Sequence, residues 1–220
     1  VFDEYETKPA NVPSKYEVYE IPSNATGEMA EEQIVVTYYY IKKETKVIVH
    51  HYEEGTTNKL SENVEIVGRV DDEYTTSPAT DIPLKYELAQ EPANKVGIMT
   101  EQEIHVIYYY KVRETKAIVR YLEKDTNIEL APSEEIIGKV DEIYTTSPKD
   151  IERYTLVGDS GNTQGWLTVE PIEVIYYYLQ QTKATVQYID KNTGEILEQS
   201  TKEGLVGDKF VTESKDFENY

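Results

Sequence analysis

The sequence Ile172-Glu173-Val174-Ile175-Tyr176-Tyr177-Tyr178 decides the fold of this chain. Side chains alternate between the two faces of a β-strand, so one face of this stretch carries the even-numbered residues and is fully apolar. We expect that face to meet a core and the middle tyrosine to point away from it. The same apolar face recurs in two other stretches, at Ile34, Val36, Tyr38 and Tyr40, and at Ile104, Val106, Tyr108 and Tyr110.

The three-tyrosine run marks a repeat. Its copies begin at residues 38, 108 and 176, in steps of 70 and 68 residues, and a Thr-Lys pair follows each copy at residues 45, 115 and 182. A period of this size indicates one module used several times. The pattern divides the chain into repeat 1 (the rear part of a module, 1–42), repeat 2 (43–111), repeat 3 (112–179) and repeat 4 (the front part of a module, 180–220).

The chain is expected to begin and end inside a module. Its first nine residues, Val1 to Pro9, fit the slot that residues 70–78 occupy one module later. Its last five, Asp216 to Tyr220, fit the slot of residues 150–154. We therefore interpret the chain as a piece of a longer array, with targeting and anchoring segments outside it.

Within one module the pattern predicts short strands joined by polar turns. Ala117, Val119 and Tyr121 alternate with a second, also partly apolar face formed by residues 118, 120 and 122, and this alternation predicts the first strand. The other expected elements are a hairpin turn at 190–194 with glycine at positive φ, a second strand over 128–137 that Gly138 breaks (as Gly68 and Gly207 do in their copies), a helical turn or irregular crossover over 141–148, a strand at 154–157, and turns at 162–165, 24–27 and 94–97.

Neighbouring modules are closely joined in the sequence. Four residues, Lys111 to Glu114, separate Tyr110 from Thr115, and none is glycine or proline. At about 3.3 Å per residue, this leaves little slack between one module's last strand and the next module's first. We expect an end-to-end, semi-rigid rod.

The composition limits the classes of partner. The chain has 220 residues, no cysteine and a formal net charge of −20, spread along its length. Nucleic acids and anionic membrane surfaces both require a basic footprint, which argues against either partner. No apolar run is long enough to insert into a membrane. The chain has 20 tyrosines against 3 phenylalanines, which suggests half-buried strand rings or, alternatively, aromatic platforms for sugars.

Several motifs recur in order in each unit. They are Thr-Lys-x-x-Val-x-Tyr, a polar hairpin, Ile-x-Gly-Lys-Val-Asp-x-x-Tyr-Thr-Thr-x-Pro, Tyr-x-Leu-Val, Asn-x-x-Gly and a last strand ending in Tyr-Tyr-Tyr. This pattern resembles the mucin-binding protein (MucBP) repeat of Gram-positive bacterial surface proteins, best in repeat 3; repeat 2 departs from it at His51. The resemblance implies a mostly β fold (α+β at most), β-grasp-like, with first and last strands paired in parallel. It also implies a secreted, wall-attached adhesin, and it assigns no site residue.

The sequence offers little for catalysis. His50 and His51 are adjacent on a strand and face opposite ways, so they cannot chelate one ion, and we place His105 apart from them, in another unit, on the outer face of its last strand. The acidic cluster of residues 71–73 lacks the ligand spacing of an EF-hand and is interpreted as a solvated loop. No paired-carboxylate, nucleophile or Lys-Asn cross-link pattern repeats between units. We predict no enzyme activity, no metal and no cofactor.

Two functions remain. The first is weak, multivalent binding of mucin or host glycans, and the second is a stalk that projects another domain from the cell wall. The expected partners are a mucin glycoprotein or glycan and the neighbouring repeats. The candidate ligand-binding residues are the middle rings Tyr39, Tyr109 and Tyr177.

Overall fold

The computed structural model describes residues 3–217, so Val1, Phe2 and residues 218–220, which carry part of the predicted end matches, lie outside the described residues. The chain forms two compact units, Val1–Lys111 and Val112–Tyr220, each of which is described by itself. All regular elements of the described residues are strands. The mostly β fold that the sequence predicts is therefore confirmed, and the positions of the repeat boundaries stay a prediction.

Ten strands begin in the first unit and seven in the second. Those of the first are β1 (Glu4–Glu6), β2 (Tyr16–Glu20), β3 (Thr26–Glu28), β4 (Tyr39–Lys42), β5 (Glu44–Glu53), β6 (Lys59–Arg69), β7 (Glu73–Thr75), β8 (Tyr86–Gln90), β9 (Val96–Ile98) and β10 (Ile104–Val112). Those of the second are β11 (Glu114–Glu123), β12 (Glu129–Lys139), β13 (Ile143–Thr145), β14 (Tyr154–Asp159), β15 (Gln164–Trp166), β16 (Ile172–Ile189) and β17 (Ile196–Leu205).

Repeats 2 and 3 each build a sheet of the same order. The order is β6-β5-β10-β8 in repeat 2 and β12-β11-β16-β14 in repeat 3. The first and last strands of each module lie side by side and parallel, with Val47 opposite Ile104 and Ala117 opposite Ile172. This central parallel pair confirms the β-grasp-like pairing that the family resemblance implies. Residues 141–148 form an irregular crossover that contains the short strand β13, paired with β15.

The core lies on one face of each sheet and follows the predicted alternation. In repeat 3 it is built from Ala117, Val119 and Tyr121 of β11 and from Val174, Tyr176 and Tyr178 of β16, all almost fully buried. In repeat 1 the prediction is wrong: Ile34 is 36% exposed, and residues 34–38 precede the strand β4. Among the described residues β4 pairs with β2 alone, and the part of repeat 1 that they contain provides no parallel strand beside β4.

Three predicted glycine turns are strand residues instead. Gly27, Gly97 and Gly165 are the central residues of β3, β9 and β15, and each lies opposite a tyrosine of the partner strand. A Cβ on Gly97 would lie 3.0 Å from the hydroxyl oxygen of Tyr74. Glycine is required here because the tyrosine ring packs directly against the backbone, and not because the chain turns.

The glycine predicted to break the second strand does not break it. Strand β12 continues through Gly138, which pairs with Thr115, to Lys139. The corresponding residue in repeat 4 is Gly204, which pairs with Thr182. Gly207, assigned this role from the sequence, lies beyond β17 with a positive φ of 94°.

Within each unit, successive repeats are joined almost without a break. In the second unit β16 is a single strand of 18 residues that is the last strand of repeat 3 and the first strand of repeat 4. It pairs with β11 and β14 along its first part and with β17 along its second. In the first unit only Lys43 separates β4 from β5. The predicted direct passage from one repeat to the next is confirmed at both places.

Tyrosine hydroxyls anchor the irregular crossover to the sheet. The Thr76 hydroxyl donates to the Lys95 carbonyl (3.0 Å), and because it has one proton, the Tyr108 hydroxyl donates to it in turn (2.9 Å). Thr146, Thr163 and Tyr176 repeat this arrangement in repeat 3. The third ring of the triplet binds the same segment: the Lys149 N–H donates to the Tyr178 hydroxyl (3.0 Å), which donates to the Lys149 carbonyl (2.8 Å). Phenylalanine at these positions would remove these hydrogen bonds between the crossover and the sheet.

This network leads to a prediction for the first unit. Thr76→Val leaves the buried Tyr108 hydroxyl without its acceptor, so we expect the free energy of unfolding to fall by about 1–3 kcal/mol. The double variant T76V/Y108F removes both polar partners and should be less unstable than the sum of the single variants. Urea denaturation monitored by circular dichroism measures both effects.

The matched control is Thr75→Val, because Thr75, the last residue of β7, is the exposed chain neighbour of Thr76. A loss of stability as large for Thr75→Val as for Thr76→Val, or strict additivity in the double variant, would contradict the role of the network.

Candidate functional site: the outer face of the repeat sheets

The middle tyrosines lie on the face of each sheet that points away from the core, here called the outer face. Tyr39 is 64% exposed, Tyr109 is 40% exposed and Tyr177 is half-buried. The difference follows from their neighbours, since Tyr177 lies between Leu122 and Gly158 in the register. Each of the three rings belongs to the sheet of its own repeat. A ligand role for them stays a prediction.

Repeat 2 gathers four rings on its outer face. Tyr109 lies next to Tyr52 in the parallel register, the rings of Tyr52 and His50 have centroids 5.8 Å apart, and those of His50 and His105 are 5.2 Å apart. We call His50, Tyr52, His105 and Tyr109 the outer aromatic strip. The strip places four partly exposed rings close together on one face, and exposed aromatic rings can stack on the C–H faces of a sugar.

The placement of His105 corrects a prediction. His105 belongs to the same repeat as His50, and its Nδ1 lies 2.9 Å from the His50 Nε2. The sequence contained the necessary signal. The first and last strands of a module are paired in parallel, and side chains alternate between the two faces of a strand. Together these two facts put both histidines on the outer face of adjacent strands.

The equivalent positions of repeat 3 hold a different pair. Arg120 stands where repeat 2 has His50, Glu173 stands where it has His105, and their Nη1 and Oε1 atoms form an ion pair at 3.2 Å. The outer faces of the two repeats are therefore built on one frame but differ in chemistry. Repeat 2 is aromatic at this point and repeat 3 is charged.

His51 occupies the opposite, buried face of repeat 2. It is 1% exposed, lies with its ring 5.6 Å from that of Tyr108, and places Nδ1 3.1 Å from the Tyr110 hydroxyl. Burial lowers the pKa of His51; the charge of Asp81 opposes this shift, and that of His50 adds to it. At the same position of repeat 3, burial and the hydrogen bond to Glu134 raise the pKa of Tyr121 to about 12, so that ring stays neutral.

The lowered pKa of His51 predicts an acid-sensitive repeat. The folded state binds a proton at His51 less readily than the unfolded state, so this contribution to stability is complete above the unfolded pKa, about 6.5, and is lost as pH falls below it. We expect the free energy of unfolding of the first unit to decline in mild acid, measured by urea denaturation between pH 8 and pH 5.

The variant His51→Tyr installs the residue of repeat 3 and should flatten this decline. His105→Gln removes an exposed histidine and should keep it. If the free energy of unfolding of the wild type does not change between pH 8 and pH 5, the predicted contribution of His51 is contradicted.

The acidic residues after each second strand hold the backbone and the neighbouring repeat. Asp72, Glu142 and Asp208 each accept a hydrogen bond from the N–H three residues earlier, at 2.7–2.8 Å. In the first unit Asp71 lies 2.8 Å from Lys15 and 3.1 Å from Lys42, and hydrogen bonds from these lysines lower its pKa. The cluster of residues 71–73 is thus a junction between repeats 1 and 2, not only a solvated loop.

Residues 3–217 contain no group of three or more histidine, cysteine, aspartate or glutamate side chains positioned to hold a metal ion. They also contain no helix long and apolar enough to cross a membrane.

Recurring sheets with a parallel central pair, joined strand to strand, define a tandem-repeat β protein. The MucBP domain matches the chain four times, over residues 2–41, 46–111, 116–179 and 183–220. The chain belongs to the MucBP domain family.

Similar curated proteins are two forms of Internalin J from Listeria monocytogenes. The protein of serovar 1/2a is 32% identical over 170 residues, which covers 74% of this chain and 20% of that protein. The protein of serotype 4b is 35% identical over 170 residues, covering 74% and 18%. The chain therefore spans about a fifth of the length of these relatives.

Two solved structures are also similar. The crystal structure of Mub-RV is 13% identical, with 60% of this chain and 97% of that chain covered and a TM-score of 0.24. The Streptococcal High Identity Repeats in Tandem (SHIRT) domains 3-4 from a cell surface protein are 8% identical, with 61% and 96% covered and a TM-score of 0.29.

Proposed function

We propose that this chain is a non-catalytic, extracellular repeat segment of a wall-attached bacterial adhesin that binds mucin or host glycans weakly and multivalently. The observation that carries the proposal is the outer aromatic strip of repeat 2, together with a middle tyrosine at the same outer-face position in repeats 1 and 3. Membership of the MucBP domain family supports the same ligand class.

The chemistry of the outer face suits a sugar. The rings stack on its C–H faces, while neighbouring carboxylates accept hydrogen bonds from its hydroxyls. One such contact is weak, but several on one chain act together because binding at one repeat raises the effective concentration of ligand at the next. The net charge of −20 disfavours sialylated and sulfated glycans, so the proposal is directed at neutral ones.

The test is retention on a mucin-coated surface and on a glycan array. Tyr39→Ser, Tyr109→Ser and Tyr177→Ser combined should lower retention at least tenfold, about 1.4 kcal/mol, while far-UV circular dichroism stays unchanged. Trp166→Ser is the matched control, because Trp166 is an exposed aromatic residue that lies outside the triplets. Equal retention of the triple variant and the wild type, or loss with Trp166→Ser alone, would contradict the proposal.

A second function, a stalk that projects another domain, is favoured by β16. One strand shared by two repeats leaves no flexible linker between them. A compact protein of 220 residues has a radius of gyration of about 17 Å. Small-angle X-ray scattering of the chain should give a clearly larger value, and a value near 17 Å would rule out the spacer.

A further inference from the structure

Two imidazole nitrogens face each other on the outer face of repeat 2. His50 lies on β5 and His105 on β10, and the parallel register places His50 beside Ile107 and His105 beside Ile48. The Nε2 of His50 and the Nδ1 of His105 are 2.9 Å apart, and the two rings are inclined by only 20°. The sheet itself therefore fixes the distance between them.

We propose that His50 and His105 form a site for one divalent late transition-metal ion, of the class of Zn²⁺, Ni²⁺ or Cu²⁺. Imidazole nitrogens bind such ions at about 2.0–2.1 Å, so two nitrogens about 2.9 Å apart match neighbouring ligands that subtend roughly 90° at the ion. In the metal-free protein the two nitrogens share one proton. On binding, both rings rotate until their lone pairs converge on the ion, and the shared proton moves to the other nitrogen of the ring that carried it, so each imidazole stays neutral and keeps one N–H.

The surroundings favour a cation. The chain carries a net charge of −20, and Glu103 lies two residues before His105, directly before the start of β10. Lys46, the nearest lysine on the same face of β5, is already paired with Glu65 and Glu103, at 3.1 and 3.5 Å. The site is open on its outer side, so water completes the coordination of the ion.

Repeat 3 provides an internal comparison. The same two positions hold Arg120 and Glu173, whose ion pair offers no imidazole nitrogen and places a guanidinium where His50 stands in repeat 2. His51 lies on the buried face and cannot reach the pair. The proposal therefore predicts one ion per chain, bound by repeat 2.

The experiment is isothermal titration of the untagged, full 220-residue chain with NiCl₂, CuCl₂ and ZnCl₂ at pH 7.5. At least one of these ions should bind saturably with a stoichiometry of one. His50→Gln and His105→Gln should each weaken binding at least tenfold, and the double variant H50R/H105E, which copies the ion pair of repeat 3, should abolish it. Glu173→Gln in repeat 3 is the matched control and should leave binding unchanged.

Two measurements make the outcome independent of loss of fold. Paramagnetic Cu²⁺ added to the wild-type chain should broaden the NMR signals of His50 and His105 first. The graft R120H/E173H, which transfers the pair to repeat 3, should raise the stoichiometry to two. Absence of saturable binding by the wild type, binding retained by H50R/H105E, or a graft that still binds one ion would overturn the proposal.

Discussion

The repeat depends on hydrogen bonds between tyrosine hydroxyls in the sheet and the irregular crossover that covers it. In repeat 3 the crossover contains one short strand, β13, and is otherwise without regular structure. Its backbone is tied to the sheet through Thr146 and Lys149, which bind the hydroxyls of Tyr176 and Tyr178. Buried polar groups of this kind are costly to leave unpaired, so the network fixes one conformation for a segment whose local sequence does not.

This constraint explains the composition of the chain. A module of about 70 residues has a small core. Here the rings that fill the core also form, through their hydroxyls, the hydrogen bonds that hold the crossover on it. In each triplet of repeats 2 and 3 the first and third rings are buried and bonded through their hydroxyls, whereas the middle ring faces outward. Tyrosine thus serves the inside and the outside of one strand. The preference for tyrosine over phenylalanine is therefore structural at two of the three positions.

The sequence predicts the period-2 strands because they follow from which residues alternate, and the family resemblance implies the parallel pairing of the first and last strands. It fails where the reason lies in a contact between distant segments. Gly97 looks like a turn glycine, but its role is to accommodate the ring of Tyr74, a residue 23 positions earlier. The prediction that His105 lies in another unit than His50 is wrong for a related reason. Two residues can be recognised as neighbours across a sheet only when the strand pairing and the face of each residue are both known.

The continuity of β16 has a mechanical consequence. Strand β11 enters repeat 3 at one end, and its parallel neighbour β16 leaves the repeat at the opposite end. A pull on the two ends of this repeat therefore acts along the strands, so the hydrogen bonds between β11 and β16 are loaded in shear and must fail together. Bonds pulled open one at a time, like a zipper, would fail at lower force. Beyond Tyr178 the same strand carries that tension directly into its pairing with β17, so the force crosses from one repeat to the next without passing through a loop.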